Sequence, residues 1–285
     1  MSAFAASFRA LSVAAVLGMG LAVFGMAAAE AAGVPLMPHR AIYDMKLGEA
    51  AEGTGIAALS GRMVYEFSGN SCDGYSVTFR FVSRFEDESG LAQVTDLRTS
   101  SFEEPQSGRY QFLSQTYIDQ DLSEETRGTA QGSKDKLKIG LVKPEEKKVD
   151  INGDVYFPIS HLKAMISAAN KGQSFFEAQV FDGAETGDKV YATSAVIGAT
   201  QSGADSAGED TADAVERIGA ANRWPVTIAY FDPKLDQGGE VTPVYQISFL
   251  LYENGVTRRL MLDYGDFKIE GQLKDLVVYP MTDCQ

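Results

Sequence analysis

The chain has 285 residues, of which 45% are hydrophobic, 10% aromatic and 22% charged, with a formal net charge of −14. Such an acidic balance excludes nucleic acid as a partner and electrostatic capture by anionic lipid headgroups, and it reads as a solvated surface that keeps the protein soluble. With 2 histidines and 2 cysteines in the whole chain, metal and thiol chemistry have little to work with.

In chain order, the first element is a leader over residues 1–29. Arg9 supplies a positive charge, and the run from Ala10 to Ala28 is apolar or small except for Ser12. "AAAE" and "AEAA" both offer the small-x-small pattern that signal peptidase reads, so cleavage is expected after Ala29 or Ala31. No cysteine stands there to carry a lipid, and no later stretch reaches the roughly 18 consecutive apolar residues of a spanning helix. Residues 30–285 are therefore expected to be exported and soluble, a length that suits one large all-β domain or two smaller ones.

Beyond the leader the dominant signal is alternation with a period of two, which marks strands. In "GYSVTFRFVSRFED" the apolar set is Tyr75, Val77, Phe79, Phe81 and Phe85. In "VYQISFLLYENG" one face carries Tyr245, Ile247, Phe249 and Leu251. "VTRRLMLDYGDF" carries Val256, Leu260, Leu262 and Tyr264. Together with similar runs at 39–48, 55–68, 92–104, 108–119, 123–132, 136–142, 147–151, 174–182, 188–199, 223–232 and 267–279, about fourteen strands are predicted. Short turns join nearly all of them, which means antiparallel pairing. "ENG" is read as a tight primed hairpin turn, because Asn-Gly tolerates positive φ. "QSGADSAGEDTAD", residues 201–213, is polar and acidic and reads as a mobile surface loop.

One helix interrupts the strands, predicted over Ser160–Lys171. Pro158 precedes it, Ser160 is the expected N-cap, and Gly172 is the expected stop. Leu162, Met165, Ile166 and Ala169 follow the i, i+3, i+4, i+7 spacing of an apolar face, and Phe157 adds bulk at the entrance. A curled antiparallel sheet needs something to close its open end, and this helix is the expected plug.

No catalytic, metal or cofactor-binding residue emerges. Ser160 and His161 are helix neighbours that point about 100° apart, poor geometry for a nucleophile and its base, and no G-x-S-x-G occurs. His39 and His161 form no metal-ligand spacing. Asp182 in "FDG", like Asp44, Asp263 and Asp266, reads as turn or strand-end chemistry. Trp224, the one tryptophan, reads as core packing or, more sharply, as lining of a ligand cavity. Cys72 and Cys284 make an even count in an oxidising compartment, which favours a disulfide closing nearly the whole domain over a thiolate metal site or a redox pair, since there is no CxxC.

"PHRAIYDMKL", "FPISHLKAMISAANKGQSFFEAQVFDG", "VYATSAVIG", "RWPVTIAYFD" and "VYQISFLLYENGVTRRLMLDYGDFKIEGQL" together resemble the periplasmic cell-envelope integrity protein B (EipB-like) family of alphaproteobacteria. The resemblance covers essentially all of residues 30–285, and the two cysteines match the pair the family carries. It implies an all-β fold: a monomeric β-spiral of about fourteen antiparallel strands, an open barrel-like curled sheet partly plugged by a short helix. It also implies periplasmic residence and envelope maintenance under stress, without a known reaction. The family's shape is similar to lipoprotein carriers of the Lol type, whose curled sheets cradle acyl chains, a fold-level analogy.

Two functions follow. The first is a non-enzymatic envelope factor that binds an apolar partner, a lipid or lipoprotein acyl chain or a segment of a periplasmic or outer-membrane protein. Phe157, Leu162, Met165, Ile166 and Trp224 are then the expected lining, with no cofactor. The alternative is an enzyme acting on envelope polymers through a carboxylate pair, or a protein–protein scaffold.

Overall fold

The structure is a computed structural model that describes residues 34–234, 242–282 and 284. The predicted leader and both cleavage positions lie outside the described residues.

Strands β1 (His39–Ala50), β2 (Ile56–Asn70), β3 (Gly74–Asp87), β4 (Ala92–Glu104), β5 (Arg109–Ile118), β6 (Asp121–Ser133), β7 (Lys136–Lys143), β8 (Lys147–Asn152) and β9 (Val155–Tyr156) lead into helix α1 (Pro158–Asn170). Then come β10 (Phe175–Val180), β11 (Tyr191–Ile197), helix α2 (Ala212–Ile218), β12 (Arg223–Phe231), β13 (Tyr245–Tyr252), β14 (Thr257–Asp263) and β15 (Phe267–Val278). All belong to one 15-stranded sheet in the order β8-β7-β6-β5-β4-β3-β2-β1-β15-β14-β13-β12-β11-β10-β9. The fold is all-β, a single large curled sheet of the expected kind.

The topology explains the curl. Each strand pairs with its sequence neighbour in successive hairpins, and β15 returns to pair with β1 at the centre of the ribbon. The two outermost strands, β8 and β9, are consecutive in the chain. Three Cα–Cα steps separate Asn152 from Val155, a span of at most about 11 Å. The two ends of the ribbon therefore come back to each other, and the sheet rolls into an open spiral. The right-handed twist of each strand favours this closure.

Three sequence expectations change. The fifteenth strand, β9, is two residues long and pairs parallel with β10 through Gln179 and Val180. Two residues cannot display alternation, so the pattern misses it. The "ENG" hairpin forms, but only Gly255 takes positive φ. Gly255 N–H donates to Tyr252 O at 2.9 Å and Tyr252 N–H to Val256 O at 2.9 Å. This is a three-residue loop, a turn followed by a glycine bulge, rather than a primed two-residue turn. The third is the acidic segment 201–213. Asp205 and Asp210 turn inward onto Arg258, which has no exposed surface, and Thr211 N–H donates to Leu273 O at 2.9 Å. The segment is a pinned strap that leads into α2, not a loop lying free on the surface.

Alternation along the strands sorts side chains into three apolar clusters. One gathers around α1 with Phe67, Tyr75, Ile197, Trp224 and Leu251. A second joins β1, β2, β13, β14 and β15 with α2 through Tyr43, Leu250, Leu260 and Leu273. A third joins β5–β7 to β9 and Phe181 through Tyr110, Phe112, Leu137 and Phe157.

Candidate functional site

The interior is organised by α1. The helix begins two residues earlier than the sequence implies: Phe157 is the N-cap, Pro158 occupies the first turn, and Ser160 lies at the third helical position. Its Oγ still does capping work, accepting from Phe157 N–H at 3.1 Å. The remaining donors of the first turn go to a residue the pattern did not single out. The buried Glu103 of β4 accepts from Ile159 N–H at 2.8 Å and from Ser160 N–H at 2.9 Å. A carboxylate at a helix N-terminus satisfies orphan amides and complements the macrodipole. At the other end Gly172, with φ +72°, stops the helix as expected.

The five residues expected to line an apolar ligand do not act as a set. Met165, Ile166 and Trp224 are exposed by 2%, 0% and 2%, packed in the filled cluster around α1. Trp224 Nε1 donates to Thr200 Oγ1 at 2.9 Å, so its polar end is satisfied as well. Leu162 packs at the margin of the same cluster and borders a gap too narrow for a water molecule. Phe157 belongs to a different cluster, stacked on Tyr110 at 4.9 Å. The apolar face of α1 is therefore core, and the close packing of its neighbours leaves no room for a guest there.

Open space lies beside the first turn of α1. A cavity of about 220 Å³ opens between the inward faces of β2–β5 and the turn at residues 182–184. Tyr65, Val77, Phe79, Tyr110 and Phe112 supply most of its wall, with Pro158 at its edge. Thr99, Ser101 and Ser114 add hydroxyls. A larger groove of about 480 Å³ involves Phe102, Leu113 and Thr129, which alternate with the inward set and so face the other side of the sheet.

Asp182 also lines this cavity. Its Oδ1 accepts from Ala184 N–H at 2.9 Å, the local turn that the "FDG" motif announces. Gly183 takes φ +73°, and a Cβ there would sit 2.3 Å from the Phe112 ring. Only glycine lets the turn press onto that ring and set Asp182 in place. Tyr110 OH donates to the Asp182 carbonyl at 3.0 Å, tying the turn to β5. Burial raises the Asp182 carboxyl above the usual carboxylate range, against the Ala184 hydrogen bond that lowers it. Burial also raises the Tyr230 and Tyr245 phenols, and the charge of Asp182 adds to this. These two rings stack at 4.5 Å and continue through Tyr264 to Phe267, an aromatic row on β12–β15.

The other titratable groups are accounted for by the fold. His161 is buried against Phe176 and Tyr156, its Nε2 lies 3.5 Å from Thr193 Oγ1, and burial pushes its pKa down to about 4. His39 Nδ1 lies 2.7 Å from Met37 O, and burial lowers this imidazole too. Asp205 and Asp210 share Arg258, so these carboxylates are ion-pair partners. Asp44 pairs with Arg62 at 2.8 Å, and Asp263 accepts from Gly265 N–H at 2.9 Å. Asp266 accepts from Ala51 N–H through its main chain at 2.8 Å. Among the described residues, no group of three or more His, Cys, Asp or Glu side chains is placed to hold a metal ion. Cys72 and Cys284 form a disulfide with a Cα–Cα distance of 5.6 Å, which fastens the C-terminal tail to the β2–β3 turn. Among the described residues, no helix is long and apolar enough to cross a membrane.

The chain is 42% identical over 256 residues to the cell envelope integrity protein EipB of Brucella abortus (strain 2308), an alignment covering 90% of this chain and 89% of that protein. A Brucella abortus crystal structure described as a β-barrel-like protein of the domain of unknown function DUF1849 superposes with a TM-score of 0.78 at 41% identity, covering 86% of this chain and 99% of that one. Residues 30–280 match the EipB-like family, and with the curled 15-stranded sheet this establishes that the chain belongs to that family.

Proposed function

We propose that this chain maintains the integrity of the bacterial envelope from the periplasm, without catalysis, by holding an apolar chain inside its curled sheet. The relative named for envelope integrity supports the role, and the disulfide supports an exported protein. The observation that carries the ligand is the cavity of about 220 Å³ walled by Tyr65, Val77, Phe79, Tyr110 and Phe112. It is smaller than the roughly 300–1,000 Å³ pockets that take drug-sized ligands. It therefore suits one hydrocarbon chain or acyl end rather than a whole phospholipid. Burial of apolar surface, worth roughly 25 cal/mol per Å², is the driving force such a site offers.

Native mass spectrometry of the protein purified from a membrane-containing lysate tests this reading. A retained lipid mass is expected, and Phe79→Trp, which fills the cavity, is expected to expel it while the protein stays folded. Absence of any retained lipid, together with no uptake of added hydrocarbon ligand, would sink the proposal.

A further inference from the structure

The cavity contains a carboxyl group that the fold does not explain. Asp182 lines a half-open, largely apolar space, and the one hydrogen bond its side chain takes from another described residue is from the Ala184 amide to Oδ1. An asparagine would cap that turn equally well and would leave no carboxylate to desolvate. No cationic side chain among the described residues pairs with Asp182. Lys189, the lysine whose field reaches it, is drawn away to Glu185 and to Asp232 at 3.1 Å. Glu103, the other buried carboxylate nearby, is committed to the two amides of α1.

The surroundings suit a cation. Tyr65, Phe79, Tyr110 and Phe112 border the same space, and aromatic faces attract ammonium groups through the ring quadrupole. Where walls exclude part of the water, both that attraction and the pull of a carboxylate are strengthened. The hydroxyls of Ser101 and Thr99 add acceptors for any N–H the ligand carries. We infer that the cavity selects an amphiphile with an organic ammonium group, with Asp182 as its counter-ion and the rings of Tyr65, Phe79, Tyr110 and Phe112 around it. This rests on the interior being the ligand site and names what the ligand carries at its polar end.

Titration calorimetry of the purified protein separates the two ideas, using octyltrimethylammonium, octanol and tetramethylammonium as probes. Octyltrimethylammonium is expected to bind at one site at least tenfold more tightly than either of the others. Asp182→Asn should lower its affinity at least tenfold and leave octanol within twofold, which also shows that the variant is folded. Asp121→Asn, which removes an exposed charge, should change nothing. If octanol matches octyltrimethylammonium in the native protein, or Asp182→Asn retains the preference, the ammonium assignment falls and the apolar site stands. If tetramethylammonium binds as well as the amphiphile, the tail is irrelevant and the amphiphile is excluded. If Asp121→Asn weakens binding as much as Asp182→Asn, surface charge accounts for the attraction and the assignment fails. Binding of none of the three removes both readings together.

Discussion

His161 shows how one buried side chain makes stability depend on pH. Its ring projects from α1 against Phe176 of β10, 5.7 Å away, and burial lowers its pKa to about 4 from the ordinary value of 6.5. The folded state thus binds this proton less readily than the unfolded chain does. Its contribution is complete above pH 6.5 and drains away as the pH falls from there to about 4. The full loss approaches about 3 kcal/mol at 1.36 kcal/mol per unit. His39, also lowered by burial, tilts the curve in the same direction. Denaturant titrations from pH 7 to 4 should show stability falling with acidity, and His161→Gln should flatten that slope. An unchanged slope in the variant would mean that His161 is not the group responsible.

At the scale of an element, the strap over residues 203–211 is held by a buried guanidinium. Arg258 pairs with Asp205 and Asp210, donates from Nε to Tyr252 OH at 2.9 Å, and donates to Ser206 O at 2.9 Å. Asp210 in turn accepts from Leu273 N–H at 2.7 Å, so strap, β14 and β15 form one polar network. Removing the shared partner leaves the inward Asp210 without a cation, while Asp205 keeps Arg223 at 3.2 Å and Arg259 at 3.7 Å; stranding a buried charge in this way costs about 3–5 kcal/mol. Arg258→Ala should therefore lower stability by about that much, and limited proteolysis should now cut within residues 201–213. A strap that stays protease-resistant in the variant would contradict the anchoring described here. Residues 201–213 look like a loop in the sequence because Asp, Gly and Ser are turn formers. Their partner, Arg258, is 48 positions from Asp210, and local patterning carries no sign of it.

For the molecule as a whole, the disulfide spans a sequence separation of 212. Loop closure over so long a span stabilises by about 5 kcal/mol at most, with about 2–4 kcal/mol the usual yield. Cys284→Ser should then lower the melting temperature by about 4–16 °C and leave the circular dichroism of the strands intact. Neither cysteine belongs to a strand of the sheet or to any of the three apolar clusters. A variant that melts at the native temperature would show that the tail needs no fastening.

All strands but the two-residue β9, their antiparallel pairing, helix α1 and the cysteine pair were legible in the residues alone, and the seven-residue α2 was not. Alternation, turn chemistry and helical spacing are local patterns, and each states which face must be buried. The apolar face of α1 was legible as well, but not its use: Met165, Ile166 and Trp224 look the same in sequence whether they line a cavity or fill a core. Only the tertiary structure decided that they fill one, and that open space lies instead between Phe79, Tyr110 and the turn at Asp182. The same holds for Glu103, which reaches the α1 amides across 56 positions. A void is what remains after side chains from distant strands have met, and a charge has meaning only against what surrounds it. Both depend on how the ribbon rolls, and no local stretch of the chain encodes that.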